Sequence, residues 1–203
     1  MGKVDTNKKI KENSLLKTAF EFFTTKGFSK TSITDIVSKA GVAKGTFYLY
    51  FKDKYDIRNK LVSHKSSQLF KNALADLGGK LETLPFEERI ISIIDNIVNQ
   101  LNENQSLLTF ISKNLSWGIF KSAITTPVSE DDIDFSSVYN KMLEDAPKGI
   151  KDPEIMLFMI IELVSSTCYS AILYSEPCTL NELKPYLYSS IKLMISQHEG
   201  KEK

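Results

Sequence analysis

The chain has 203 residues, 42% of them hydrophobic and 25% charged, with a net charge of +1. This is the composition of a globular protein with a real core, and it argues against disorder over most of the length. The charge is unevenly placed: residues 1–60 hold 13 Lys and Arg against 6 Asp and Glu, and residues 61–203 hold 13 against 19. A basic head on an acidic body is the footprint of a protein whose head meets a polyanion, although a merely solvated lysine surface gives the same count.

Helical spacing recurs along the chain, and strand alternation persists nowhere. Leu15, Leu16, Ala19, Phe20, Phe22 and Phe23 form one face of a helix over about 7–25, with Gly27 placed to cap it. Ser32 and Asp35, three apart, read as a capping box opening a short helix that turns Ile33, Ile36, Val37 and Ala40 inward. Gly41 stands where a tight turn needs positive φ. The turn leads into VAKGTFYLYF, residues 42–51. As a helix, this stretch puts Phe47 and Phe51 on one face, four residues apart, and leaves Lys44 and Tyr48 on others. Two short helices joined by a glycine turn, the second rich in donors, form the pattern of a helix-turn-helix over about 32–51.

A long helix follows over about 53–77 and breaks at Gly78-Gly79. Further helices are expected from near Pro85, over 107–120 and over 133–143, with 125–129 a loop. Asp152-Pro153 opens an apolar helix to about 174, and the capping box Thr179–Glu182 opens a last one to about 197. The run Ile155–Val164 is shorter than the roughly 20 apolar residues of a membrane span and is interrupted by Glu162, so it reads as a helix covered on two sides. No membrane is expected as a partner. The polar N-terminus carries no apolar signal segment, which makes a cytoplasmic protein the expectation.

Catalytic and cofactor chemistry finds no support. The two cysteines, Cys168 and Cys178, and the two histidines, His64 and His198, have no metal-ligand spacing. There is no phosphate loop and no nucleophile paired with a base. The chain therefore reads as a non-enzyme with no cofactor and no metal.

Residues 10–54 resemble the N-terminal domain of TetR/AcrR-family transcriptional regulators. Leu15-Leu16, Ala19, Phe22-Phe23, Gly27-Phe28, Thr31-Ser32, Asp35-Ile36, Ala40-Gly41-Val42 and VAKGTFYLYFKDK carry the resemblance. It implies an all-α protein of about nine helices. A three-helix DNA-binding domain would occupy 1–52. A ligand-sensing and dimerisation domain would occupy 53–203, with 53–77 its connecting helix. It also implies a homodimer paired through the last two helices, about 152–174 and 179–197, on a pseudo-palindromic double-stranded DNA operator. A small-molecule effector of unknown identity would shift the spacing of the two heads. A DNA-binding regulator or architectural protein without such an effector is the alternative.

Candidate DNA contacts follow from chemistry and from the resemblance. Lys44 is able to donate to guanine or phosphate, and Gly45 lets the backbone approach the duplex. Thr46 offers a hydroxyl or a methyl. Ser32 and Thr34 stand ready for flanking phosphates, with Ser32 equally a helix cap. The resemblance implies phosphate contacts from the hydroxyls of Tyr48 and Tyr50 and from Lys54, and the backbone N–H groups opening the 53–77 helix would add anion attraction. The alternative for either tyrosine is a partly buried core aromatic with a satisfied hydroxyl. Ala43 departs from the serine frequent at that place in the family and removes a cap. For the implied pocket, the candidates are Phe110, Trp117, Phe120, Tyr139, Met142, Glu162 and Tyr169. Glu162 has three openings: a cationic ligand, a tyrosine or partner chain, and plain surface.

Overall fold

A computed structural model describes residues 3–115, 118–119, 140–141, 143–146 and 149–200. Among these there are nine helices and no strand. They are α1 (Lys3–Thr25), α2 (Ile33–Ala40), α3 (Lys44–Tyr50), α4 (Lys54–Leu77), α5 (Lys80–Thr83), α6 (Phe86–Glu103), α7 (Gln105–Asn114), α8 (Pro153–Tyr174) and α9 (Leu180–His198). The all-α expectation holds.

Local signals set most of these boundaries. Ser32 accepts from the Asp35 amide while Asp35 accepts from the Ser32 amide, and Thr179 and Glu182 repeat the arrangement at α9. Asp53 accepts from the amides of Tyr55 and Asp56 and so starts α4. Pro153 occupies the first turn of α8, where its missing N–H costs nothing. Two expectations need correction. The helix expected over 107–120 begins earlier and ends at Asn114, because Leu115 takes extended backbone angles. A one-turn helix, α5, fills part of the Gly78–Pro85 connection that the sequence left unassigned. The helix and loop expected over 125–143 lie almost wholly outside the described residues.

Gly41 closes the α2–α3 turn at φ +69, with its N–H bonded back to the end of α2. A Cβ added there would meet nothing within 4 Å, so the demand is conformational rather than steric. Gly41→Ala is expected to cost about 1 kcal/mol, seen as a fall of about 2–4 °C in Tm by circular dichroism. An unchanged Tm would refute the left-handed turn.

The head has its own core. Leu15, Ala19, Ile36, Phe47, Phe51, Ile57 and Leu61, from α1 to the first half of α4, are all at most 1% exposed and form one cluster. That cluster also takes in Phe110 and Ile111 of α7. The Phe110 ring meets Phe20 edge-on at 5.3 Å and stacks on Phe23 at 6.4 Å. A second cluster joins α6, α7, α8 and α9. At its edge Asp95 of α6 pairs with Lys184 at 2.6 Å and accepts from the Tyr188 hydroxyl, both on α9. Burial pushes the Asp95 carboxyl up, but these bonds outweigh it and hold its pKa below the usual range.

By length and composition α8 would suffice to cross a membrane. Here it packs against α7 and α9. Its other face leaves Ile155 54%, Phe158 40% and Met159 37% exposed, and on α9 Tyr186 and Leu193 are more exposed still. The expectation that α8 needs cover on two sides is met on one side within the chain.

Candidate nucleic-acid interface

Helix α3 sorts its residues by face. Phe47 is fully buried and Phe51, just past the helix, is 1% exposed, their rings 5.4 Å apart. Opposite them Lys44, Gly45, Tyr48 and Leu49 are exposed. Positions 44 and 48, and 45 and 49, are each four apart, so these residues form one continuous stripe. A Cβ built on Gly45 meets nothing within 4 Å, so the glycine is not a packing requirement; it leaves backbone accessible in the middle of the stripe. Ala43 precedes the helix with no side-chain cap, as its sequence implies.

The other candidates divide. Thr34 is exposed and Thr46 half-buried. Tyr50 is half-buried against the head core, with its ring 6.2 Å from Phe51, while Tyr48 is 52% exposed. Two further candidates for phosphate contact, Lys54 and Ser32, make bonds within the head. The Lys54 ammonium donates to the carbonyls of Phe28 and Thr31, both at 2.9 Å, and lies 4.4 Å from the Phe28 ring. It braces the α1–α2 loop, which Thr31 also ties by donating to the Gly27 carbonyl at 2.9 Å. The Ser32 hydroxyl spends its single proton on Asp35, 2.8 Å away. The Ser32 amide and then this hydroxyl hold the Asp35 carboxyl below its ordinary pKa.

Carboxylates meet two of the amides opening α4 and one just before it. Asp53 takes those of Tyr55 and Asp56, and Asp56 takes that of Lys52 at 2.8 Å.

Two residues of this surface escaped the sequence reading. Leu49 is 80% exposed on α3. A helical projection of 44–51 finds it, since a residue two positions from Phe47 cannot share its face. Lys60 of α4 donates to the Tyr50 carbonyl at 2.9 Å and lies 4.9 Å from the Phe51 ring, anchoring the C-terminal end of α3. A basic residue near a helix C-terminus suits the exposed carbonyls there, but the ten-residue separation gave no sign of it.

The body contains a cavity of about 220 Å³ between α4, α6, α7 and α8. Phe110, Glu162 and Tyr169 do not line it. Phe110 is spent on the head core, Glu162 is exposed on α8, and the Tyr169 ring packs edge-on against Tyr174 at 6.0 Å. Trp117, Phe120, Tyr139 and Met142 lie outside the described residues. Among the described residues the cavity walls are mostly aliphatic, with Ile90, Ile94, Ile97 and Ile160, and include the rings of Phe70 and Phe86.

A short helix, a left-handed glycine turn and a second helix with a polar stripe, locked onto a shared core, define a helix-turn-helix head on a helical body. Residues 15–61 match the family model for bacterial regulatory proteins of the tetR family. The match is to the head, so it is residues 15–61 that carry a DNA-binding domain of the tetR type. The chain is similar to the uncharacterized HTH-type transcriptional regulator YvdT of Bacillus subtilis, 36% identical over 90 residues, or 44% of this chain and 43% of that protein. The chain thus spans less than half the length of that relative. Its fold resembles a TetR-family transcription regulator of Marinobacter aquaeolei VT8, with a TM-score of 0.60 and 14% identity over 97% of this chain and 100% of the other. It also resembles the transcriptional regulator FadR of Bacillus subtilis in complex with stearoyl-CoA, with a TM-score of 0.62 and 19% identity over 90% and 97%.

Proposed function

We propose that the chain is a sequence-specific DNA-binding transcriptional regulator, working in the cytoplasm as a homodimeric repressor that a small apolar or amphipathic ligand releases from its operator. The observation that carries this reading is the α3 stripe of Lys44, Gly45, Tyr48 and Leu49, exposed while Phe47 and Phe51 hold the helix from behind. A helix presented in this way fits the major groove, where Lys44 donates to phosphate or to guanine and the Leu49 side chain offers an apolar contact to a thymine methyl. Tyr48 and Thr34 supply phosphate donors beside it. The exposed apolar face of α8 and α9 supports pairing of two chains, because burying Ile155, Phe158 and Met159 needs a second surface. The cavity supports an effector, and the solved relative bound to stearoyl-CoA is a structure of this fold with a ligand. In the two-state account, the effector favours the arrangement in which the heads do not fit the operator.

The test begins by sequencing genomic fragments that the purified protein retains, followed by gel shifts on the recovered site. Wild-type protein is expected to prefer that site over random duplex, with two chains per palindrome. Lys44→Ala and Tyr48→Phe should each weaken binding about tenfold, the size of one good contact. Binding no tighter than to random duplex would sink the reading.

A further inference from the structure

Two hydroxyls in the body cavity have no hydrogen-bond partner among the described residues: Ser66 Oγ and Ser67 Oγ of α4. Both residues line the cavity, and Ser67 is only 6% exposed. A serine inside a helix has a ready outlet in the carbonyl four residues back, and neither of these uses it. A buried hydroxyl left unmatched is unfavourable unless something in the cavity meets it. The remaining described lining, from α4, α6, α7 and α8, is mostly aliphatic, with the rings of Phe70 and Phe86 and the further serines Ser112 and Ser165, and it includes no Lys, Arg, His, Asp or Glu. The Cys168 thiol in the same wall is also neutral, since burial pushes its pKa up to about 11. Among the described residues nothing in this wall offsets the desolvation of a charged group.

Size narrows the class further. A cavity of about 150 Å³ takes benzene, so one of about 220 Å³ takes roughly nine heavy atoms by proportion. We infer that the cavity binds an uncharged, medium-length aliphatic molecule whose single hydroxyl or carbonyl oxygen is held by Ser66 and Ser67. Each serine hydroxyl both donates and accepts, which matches an alcohol or carbonyl oxygen and leaves the hydrocarbon to the isoleucines and leucines. This rests on the reading that the body holds an effector, and it names that effector's chemistry.

The experiment compares three probes of equal chain length by calorimetry on the full chain without DNA: 1-octanol, octanoate and octylammonium. Octanol is expected to bind saturably, one per chain, at least tenfold tighter than either charged probe. The double substitution Ser66→Ala with Ser67→Ala is expected to weaken octanol about tenfold. It should leave the circular dichroism spectrum intact, because it removes hydroxyls that bond nothing in the protein. Absence of saturable octanol binding, a charged probe binding as tightly, or octanol affinity indifferent to the double substitution would each overturn the inference. Operator binding by the ligand-free protein is measured separately. Its failure would sink the DNA reading and leave the cavity result standing, whereas failure of octanol to bind leaves the DNA reading intact. Octanol that binds through the serines but leaves the operator occupied supports the site and removes only the release step.

Discussion

Phe47→Ala is expected to cost about 3–5 kcal/mol of stability, the range for emptying a buried aromatic site. The side chain is 0% exposed and lies among residues from every helix of the head, including Leu15 and Ala19 of α1, Ile36 of α2 and Ile57 of α4. Helix α3 has only seven residues, too short to persist by itself, so its shape depends on this packing. Against a total of about 5–15 kcal/mol for a typical domain, the loss is large. At about 2–4 °C per kcal/mol, Tm should fall by about 10 °C, measured by differential scanning calorimetry. DNA binding should fall with it, because the exposed stripe keeps its geometry only while the buried face is held. Leu49→Ala is the control: at 80% exposure it should leave Tm unchanged while removing a contact to DNA. A Phe47→Ala protein melting within about 2 °C of wild type would show that the head core does not position α3.

The contrast between Phe47 and Leu49 also marks what the sequence made legible. The capping boxes, the glycine turn and the four-residue spacing of Phe47 and Phe51 are short-range signals, and each had only one arrangement to point to. The braces are another matter. Lys54 reaches carbonyls 23 and 26 residues away, and Phe110 closes onto α1 across some ninety residues. Helical spacing says that such a side chain turns inward; it does not say which neighbour it meets. The pocket shows the same limit. Phe110 looked like lining, yet it joins body to head, and the described walls of the cavity are mostly aliphatic side chains of α6 and α8 with Phe70 and Phe86. Ser66 and Ser67 gave no sign in the sequence, because a serine on a helix is ordinary until its hydroxyl is found buried without a partner.

The internal bonds of Ser32, Lys54 and the start of α4 set the expected electrostatics of DNA binding. With Lys54 bonded internally and the Tyr55 and Asp56 amides capped by Asp53, three exposed cations of the head are assigned to phosphate: Lys44 on the stripe, Lys52 just past α3, and Lys30 in the loop before α2. Lys39 is paired with Glu21. Three cations per head give about six phosphate neutralisations for a dimer, hence a slope near −5 in log K against log salt and a loss of about a thousandfold between 50 and 200 mM. Lys44→Ala should make that slope shallower by about two, one for each head, if its ammonium sits on phosphate. If it reads a guanine instead, the slope stays and discrimination at one base pair in each half-site relaxes. Lys54→Ala should leave the slope alone and lower Tm, because its ammonium is already bonded to the Phe28 and Thr31 carbonyls. A steep slope that Lys54→Ala flattens would return Lys54 to the phosphates and refute the brace. Binding insensitive to salt would refute phosphate contact altogether, and the basic head would then be no more than a solvated surface.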